Sequence, residues 1–161
     1  MHTKAAIQSQ FLATLEMLKK AIEVCPDEIW ADPEPQNKFW HIAFHALFYA
    51  HFYLHPTPED FVAWEKHRDD VVSLEPSDDP NAVQPYSQAE VLEYLAFCQE
   101  QVKAKVAASD LEAESGFYWL PFSTLEKHLY NIRHVQLHTG ELCERLGQAG
   151  IDIGWVGKMP V

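Results

Sequence analysis

Nine histidines occur in this chain of 161 residues, and six of them form three pairs spaced four residues apart. The pairs are His41/His45, His51/His55 and His134/His138. Residues four apart lie on the same face of a helix, so each pair can present two imidazoles to one ligand. Because neutral imidazole binds zinc, nickel, iron and copper, the chemistry indicated is that of a transition-metal site.

The surroundings of the three pairs differ. The last pair lies in a stripe of polar residues along a helix, which indicates either a buried metal site or a solvated face. The middle pair lies beside Pro56 at a helix end, which favours a surface or loop position over metal binding. The first pair lies in an aromatic-rich helix with Trp40 and Phe44, where a histidine is either a ligand or a hydrogen-bonded core residue. Spacing alone does not decide between these two roles.

Apolar residues recurring at steps of three and four predict the helices that position these histidines. The predicted helices span about residues 4–23, 36–54, 87–106 and 123–147. Ser87 and Ser123 each precede a glutamate by three residues, which is the capping-box signature of a helix start. No strand-length alternation competes, although residues 117–120 can form a short extended stretch. The chain is therefore predicted to be all-α, a four-helix bundle in a single domain over residues 1–161.

Two segments lie outside the predicted helices. Residues 55–86 hold five of the ten prolines and form a long crossover between helices 2 and 3. This segment is interpreted either as a solvated connection or as a lid over a site. Within it, residues 58–72 can form a short helix around Phe61 and Trp64. The tail over residues 147–161 is predicted to pack on the bundle as a strap.

The last predicted helix carries a motif that resembles a known family. The segment Tyr130-Asn-Ile-Arg-His-Val-Gln-Leu-His-Thr-Gly-Glu-Leu142 is similar to the final-helix motif of the DinB-like (DinB/YfiT-like) metal-binding bundle proteins. Trp40-x-x-x-x-His45-Ala-Leu-Phe-Tyr is similar to the second-helix motif of the same superfamily. The helix order and the long crossover between helices 2 and 3 agree with this resemblance.

The resemblance implies a metal site formed by His45, His134 and His138. It implies a divalent ion, usually zinc or nickel, with water in the remaining coordination positions. It also implies a homodimer and, from thiol-dependent relatives, a low-molecular-weight thiol as a second cofactor. His41 and His51 depart from the pattern, because they add imidazoles to the second helix. His41 lies one turn before His45 and can compete for the metal or supplement it.

Three neutral histidines would leave an ion with its full charge and an open position, where water approaches a pKa of about 7 or a thiol binds as thiolate. Glu141, one turn beyond His138 on the same stripe, is the candidate general base. Asn131, one turn before His134, is a candidate contact to a ligand or substrate. Cys143 lies about 180° around the helix from His134 and is expected in the core rather than at the metal.

Composition narrows the classes of partner. Twelve basic and 24 acidic residues give a formal net charge of −12, which disfavours nucleic acid and anionic membranes. The first glycine is Gly116, so the glycine-rich loops that bind nucleotide phosphates are absent from the first 115 residues. Three cysteines without C-x-x-C spacing, and no apolar leader, predict a cytoplasmic protein.

Two functional hypotheses follow from the sequence. The first is a divalent-metal-dependent enzyme of hydrolase or thiol-transferase type, acting on a small molecule that the sequence does not identify. The second is a non-catalytic, dimeric metal-binding or stress-associated protein. A coordination sphere closed by protein ligands is typical of structural sites, whereas an open position is typical of catalytic ones.

Overall fold

The structure is a computed structural model, and it describes residues 3–75 and 83–161. Those residues form five α-helices and no β-strand. The helices are α1 (Thr3–Val24), α2 (Asp27–Trp30), α3 (Phe39–Phe52), α4 (Gln88–Ala108) and α5 (Thr124–Gln148). The all-α prediction is confirmed, and α2 is one additional turn that the periodicity did not indicate. No helix in the described ranges combines the length and the apolarity that crossing a membrane requires.

The four long helices share one hydrophobic core. α1 packs against α4 and α5, and α3 packs against the same two helices, an arrangement compatible with a helical bundle. The apolar stripe that the periodicity predicted on α1 is buried along its whole length: Ile7, Phe11, Leu15, Leu18 and Ile22. Burying each of these side chains contributes about 1.5–3 kcal/mol, so this stripe fixes α1 on the core.

α3, which carries the first member of the candidate metal site, is buried on nearly all sides. Ten of its 14 residues are buried. It begins at Phe39, three residues later than predicted, directly after the buried Lys38. The Lys38 ammonium donates hydrogen bonds to the carbonyls of Pro33 and Pro35, which fixes the chain just before the helix.

The end of α3 is tied to α5. α3 stops at Phe52 because the next turn tightens, and the amide of Leu54 bonds to His51 rather than to Ala50. The carbonyl of Ala50 instead accepts a hydrogen bond of 2.9 Å from Nδ2 of Asn131 on α5. This bond holds the two helices that carry the candidate ligands in a fixed relation.

Both predicted capping sites begin helices. Ser87 Oγ accepts from the amide of Glu90, and the Glu90 carboxylate accepts from the amide of Ser87, which completes the capping box of α4. At α5, Ser123 Oγ accepts from the amide of Glu126. Gly140 does not break α5, which continues to Gln148.

The prediction of a short helix around Phe61 and Trp64 is wrong. The crossover instead forms two 3-10 turns, Pro58–Asp60 and Asp69–Val71, with non-helical chain around both residues. Trp64 is buried by stacking on the ring of Tyr94 at 4.5 Å. Trp64 is therefore buried through a tertiary contact and not as part of the apolar face of a helix.

Residues 76–82, part of the segment interpreted as a lid or a solvated connection, lie outside the described residues. The described part before them packs on α3 through the turn at Asp69–Val71, whose Val71 is fully buried. The crossover thus contacts the helix that carries His45.

The predicted extended stretch at residues 117–120 is wrong, because these residues form a turn. The amide of Leu120 bonds to the carbonyl of Phe117 at 2.8 Å, which closes the chain on itself. Both side chains are buried in a small apolar cluster with Tyr53 of the α3 end. The turn therefore covers the end of α3 instead of pairing as a strand.

The C-terminal segment packs on α1 as the predicted strap. Ser9 Oγ donates to the carbonyl of Met159 at 2.8 Å, and Gln10 Nε2 donates to the carbonyl of Gly157 at 3.1 Å. Trp155 is 76% exposed, so the strap is held by other residues and not by its largest side chain.

Candidate metal centre

Three histidines meet between α3 and α5. His45 comes from α3, and His134 and His138 come from successive turns of α5. One ring nitrogen of each histidine lies within 4.8 Å of one ring nitrogen of each of the others. Nε2 of His134 and Nε2 of His138 are 3.2 Å apart. The structure therefore brings together the three histidines that the family resemblance indicated.

His45 is oriented by the crossover. Its Nδ1 lies 2.7 Å from the carbonyl oxygen of Val72. A carbonyl only accepts, so Nδ1 carries the proton and Nε2 of the same ring has a free lone pair. Sequence reasoning missed Val72, because a contact made by a backbone carbonyl leaves no signal in the side-chain pattern.

His138 is oriented by Glu141. Nδ1 of His138 donates to Oε2 of Glu141 at 2.8 Å, which leaves Nε2 as the lone-pair nitrogen that faces His134. Glu141 therefore lies on the Nδ1 side of the ring, behind the nitrogen that faces the other histidines. The contact gives Glu141 an orienting role, and its role as a general base stays a prediction.

His134 is positioned by packing. Its Nδ1 is buried and has no hydrogen-bond partner within the described residues. The ring lies against those of Tyr49 and His45, each with a centroid separation of 5.3 Å. Tyr49 also contacts the ring of His45, at 4.8 Å, so this tyrosine supports two of the three histidines.

Burial keeps two of these imidazoles neutral. Loss of hydration lowers the pKa of His45 to about 4, and the hydrogen bond to Val72 only partly opposes this shift. Loss of hydration also lowers the pKa of His134 to about 3, and the neighbouring His138 and His45 lower it further. At neutral pH both rings are uncharged, with one proton each, so an ion would not have to displace a second proton from either ring.

His41, which the sequence left as a possible competitor of His45, is bonded elsewhere. Its Nε2 donates to the carbonyl of Val71 at 3.0 Å. His41 and His45 thus bind two successive carbonyls of the crossover, Val71 and Val72, and only His45 also reaches α5. His41 holds the crossover against α3 and lies outside the cluster.

His55 lies in the loop after α3, as predicted, but the surface position expected for His51 and His55 is wrong. The two residues are 1% and 4% exposed. Pro56 does mark the chain just beyond the end of α3, but Phe61 of the crossover folds over both rings, with centroids at 5.1 and 5.3 Å. The packing of Phe61 is a tertiary contact, so neither the spacing of the two histidines nor their position at the helix end could indicate it.

Two further candidates lie outside the cluster. Asn131 is fully buried and its amide donates to Ala50, so it joins α5 to α3, and within the described residues it has no hydrogen bond to the three histidines. Cys143 is a half-buried free thiol whose pKa is raised by burial. It is absent from the cluster, but the prediction that it lies in the core is wrong, because its side chain is only half-buried.

Comparison with known proteins adds no family assignment. No protein-family model matches this chain. A search of curated proteins found no relative either. The functional argument therefore depends on the geometry of the cluster.

Proposed function

We propose that His45, His134 and His138 bind a divalent metal ion, zinc or nickel, and that the protein is a metal-dependent enzyme on a DinB-like bundle. The observation that carries the proposal is the convergence of three imidazoles, two of which have Nδ1 occupied by an acceptor. In metalloproteins the nitrogen that does not bind the ion commonly donates to a carbonyl or carboxylate. Val72 and Glu141 supply these two partners.

The distance between the two histidines of α5 also fits an ion. Two nitrogens bound tetrahedrally to one zinc at 2.0–2.1 Å would be about 3.3 Å apart. Nε2 of His134 and Nε2 of His138 are separated by 3.2 Å. Imidazole donors suit zinc and nickel, whereas a site for magnesium or calcium would require oxygen ligands.

Among the residues that the structure describes, the cluster has three protein ligands, which supports a catalytic rather than a purely structural site. Structural zinc sites usually have four protein ligands, and catalytic sites have three with one position left for water or substrate. A bound divalent ion would supply a nucleophile at neutral pH, by lowering the pKa of water or by binding a thiol as thiolate. The chain's contribution is to hold His45 through Val72 and His138 through Glu141, and to keep the rings of His45 and His134 neutral by burial.

A thiol used by this enzyme would have to come from a cofactor. Burial raises the pKa of Cys25 to about 12 and raises that of Cys98 well above its usual value. Neither side chain therefore provides a thiolate, the nucleophilic form of cysteine, at neutral pH, and burial also raises the pKa of the third cysteine, Cys143. This supports a separate low-molecular-weight thiol in the thiol-transferase form of the proposal.

Metal analysis of protein expressed with added zinc or nickel tests the binding. We expect about one equivalent of metal per chain, and His134→Ala should lose most of it. His41→Gln is the matched control, because His41 lies one turn before His45 and bonds to the crossover instead. Wild-type protein without divalent metal, or equal content in His134→Ala, would contradict the proposed site.

Cobalt substitution distinguishes an enzyme from a non-catalytic metal-binding protein. With an open position, adding 2-mercaptoethanol to the cobalt form should produce a thiolate-to-cobalt charge-transfer band. A closed coordination sphere would leave the spectrum unchanged and would support the non-catalytic alternative. The same samples, run through a sizing column, test the homodimer that the family resemblance adds to the proposal.

A further inference from the structure

A cavity lies away from the metal centre. It has a volume of about 580 Å³ and is bounded by the end of α3, the start of the crossover and α4. His51 and His55 form part of its wall. His51 follows His45 by six residues, which places it about 9 Å further along α3 and about 120° around the helix. The cavity is therefore on another side of α3 from the three-histidine cluster.

The two imidazoles present unused nitrogens to this cavity. Nδ1 of His55 donates to the carbonyl of His51 at 3.1 Å, and Nδ1 of His51 lies 3.2 Å from the hydroxyl of Tyr94. Within the described residues neither Nε2 has a hydrogen-bond partner, and neither is among the buried atoms closed off from solvent. Because Nδ1 of His55 carries the proton, its Nε2 is a lone-pair acceptor.

Both imidazoles in the wall of the cavity are uncharged at neutral pH. His51 and His55 are 1% and 4% exposed, and burial lowers the pKa of both. The rings are therefore neutral at pH 7 and do not repel a cation. Nε2 of His55 is not among the atoms closed off from solvent, so a ligand with an N–H group can reach it and donate a hydrogen bond to it.

The charged groups around the cavity favour a cation. Three carboxylates line it, from Asp60, Glu65 and Glu93, together with the ammonium of Lys105. Glu93 is paired with Lys66. Asp60 and Glu65 then exceed Lys105 by one negative charge, so the cavity attracts positive ligands.

The remaining wall is mostly apolar, with Gln101 as its polar member. Trp64 is 6% exposed and stacks on Tyr94, and the half-buried Phe97 packs its ring edge-on against His51 at 5.0 Å. Aromatic side chains beside a few fixed polar groups are typical of small-molecule sites, as is a volume in this range.

We propose that this cavity binds a small organic ammonium with an apolar body. The ammonium donates to Nε2 of His55 and faces Asp60 and Glu65, and the apolar body packs on Trp64 and Phe97. The site is independent of the proposed metal function, since none of these residues belongs to the three-histidine cluster.

Three probes of similar size test the charge preference: 2-phenylethylammonium, 2-phenylethanol and 3-phenylpropionate. Titration of the isotope-labelled full-length chain, followed by amide chemical shifts, should show saturable binding of the ammonium at residues of this cavity. The alcohol and the carboxylate should bind at least about ten-fold more weakly, because they lose the charge-assisted hydrogen bond. Equal affinity for the carboxylate, or no saturable ammonium binding, would overturn the proposal.

Variants test the assigned atoms. His55→Phe keeps a ring in place but removes the acceptor, and should weaken ammonium binding about ten-fold. Glu65→Gln removes one exposed carboxylate without disturbing the core, and should weaken it by a smaller factor, so the proposal stays testable if His55→Phe does not fold. His134→Ala should leave ammonium affinity unchanged, and His55→Phe should leave metal content unchanged. Unchanged ammonium affinity in both His55→Phe and Glu65→Gln would overturn the site.

Discussion

Oε2 of Glu141 lies 2.8 Å from Nδ1 of His138, three residues earlier on α5. This bond sets the tautomer of His138 and orients the nitrogen that faces His134. Losing such a partner typically weakens metal affinity by about ten- to hundred-fold. We therefore expect Glu141→Gln to weaken zinc binding by this factor, measured by competition with a chromophoric chelator.

Glu144→Gln is the matched control for Glu141→Gln. Glu144 lies one turn further along α5 and accepts a hydrogen bond from Gln148 at 3.2 Å, outside the cluster. We expect its removal to leave zinc affinity unchanged. If Glu141→Gln and Glu144→Gln bound zinc with the same affinity, the orienting role of Glu141 would be wrong.

Gly116 should not tolerate a side chain. Its φ is +79°, and a Cβ atom there would lie 1.9 Å from the carbonyl oxygen of Pro56. Gly116→Ala must therefore push apart two backbone segments that are in contact, the turn before α5 and the chain just after α3. We expect the free energy of unfolding to fall by at least about 2 kcal/mol, measured by chemical denaturation.

Gly140→Ala provides the opposite case in the same experiment. Gly140 is exposed within α5, and an added Cβ would meet nothing within 4 Å. Alanine in an exposed helix interior stabilises by roughly 0.5–1 kcal/mol relative to glycine. A destabilised Gly140→Ala, or a Gly116→Ala as stable as wild type, would contradict these packing arguments.

The sequence predicted the elements whose signals are local. The stripe from Ile7 to Ile22 and the capping residues Ser87 and Ser123 report on the helix in which they lie, and all three predictions hold. The three candidate ligands were predicted from a family resemblance. That resemblance depends on the spacing of His134 and His138 and on the motif around His45.

What the sequence missed depends on contacts between distant segments. Val72 orients His45 through a backbone carbonyl, which any residue could supply. His51 and His55 are buried because Phe61 packs over them, and Trp64 is buried on Tyr94 without a helix around it. None of these contacts has a periodicity or a local motif from which it could be predicted.

The metal-free protein should lose stability in mild acid. Burial lowers the pKa of His51 to about 3, and burial with the neighbouring Lys127 lowers that of His128 to about 4. In the unfolded chain these rings have a pKa of about 6.5, so below that pH the unfolded state binds more protons than the folded state. The stability from each neutral ring is complete above about pH 6.5 and decreases as pH falls toward the folded value. We expect on the order of 2 kcal/mol to be lost per ring by about pH 5.

His128→Gln tests the contribution of one ring. His128 is 1% exposed and its Nε2 lies 3.3 Å from Oγ of Ser109. A glutamine does not titrate, so the unfolding free energy of the variant, measured with chelator present, should depend less steeply on pH between about 6.5 and 4. The variant will be less stable at pH 7, because packing is lost, and the slope is the diagnostic quantity. An unchanged slope would exclude His128 as a source of the acid sensitivity.

Metal should stabilise the protein at neutral pH, and acid should remove this effect. An ion that binds only the folded state raises the melting temperature, and it binds only unprotonated imidazoles. Because the pKa of His45 is lowered to about 4 and that of His134 to about 3, protons displace the ion from these two rings only as pH falls toward those values. The melting-temperature difference between zinc-loaded and chelated protein should therefore persist at about pH 6 and decrease only as pH falls below about 4. His134→Ala should abolish most of this difference at pH 7, whereas His55→Ala, which alters a buried histidine outside the cluster, should preserve it. Thermal melts of the three proteins with and without chelator measure the effect, and equal differences in wild type and His134→Ala would remove His134 from the site.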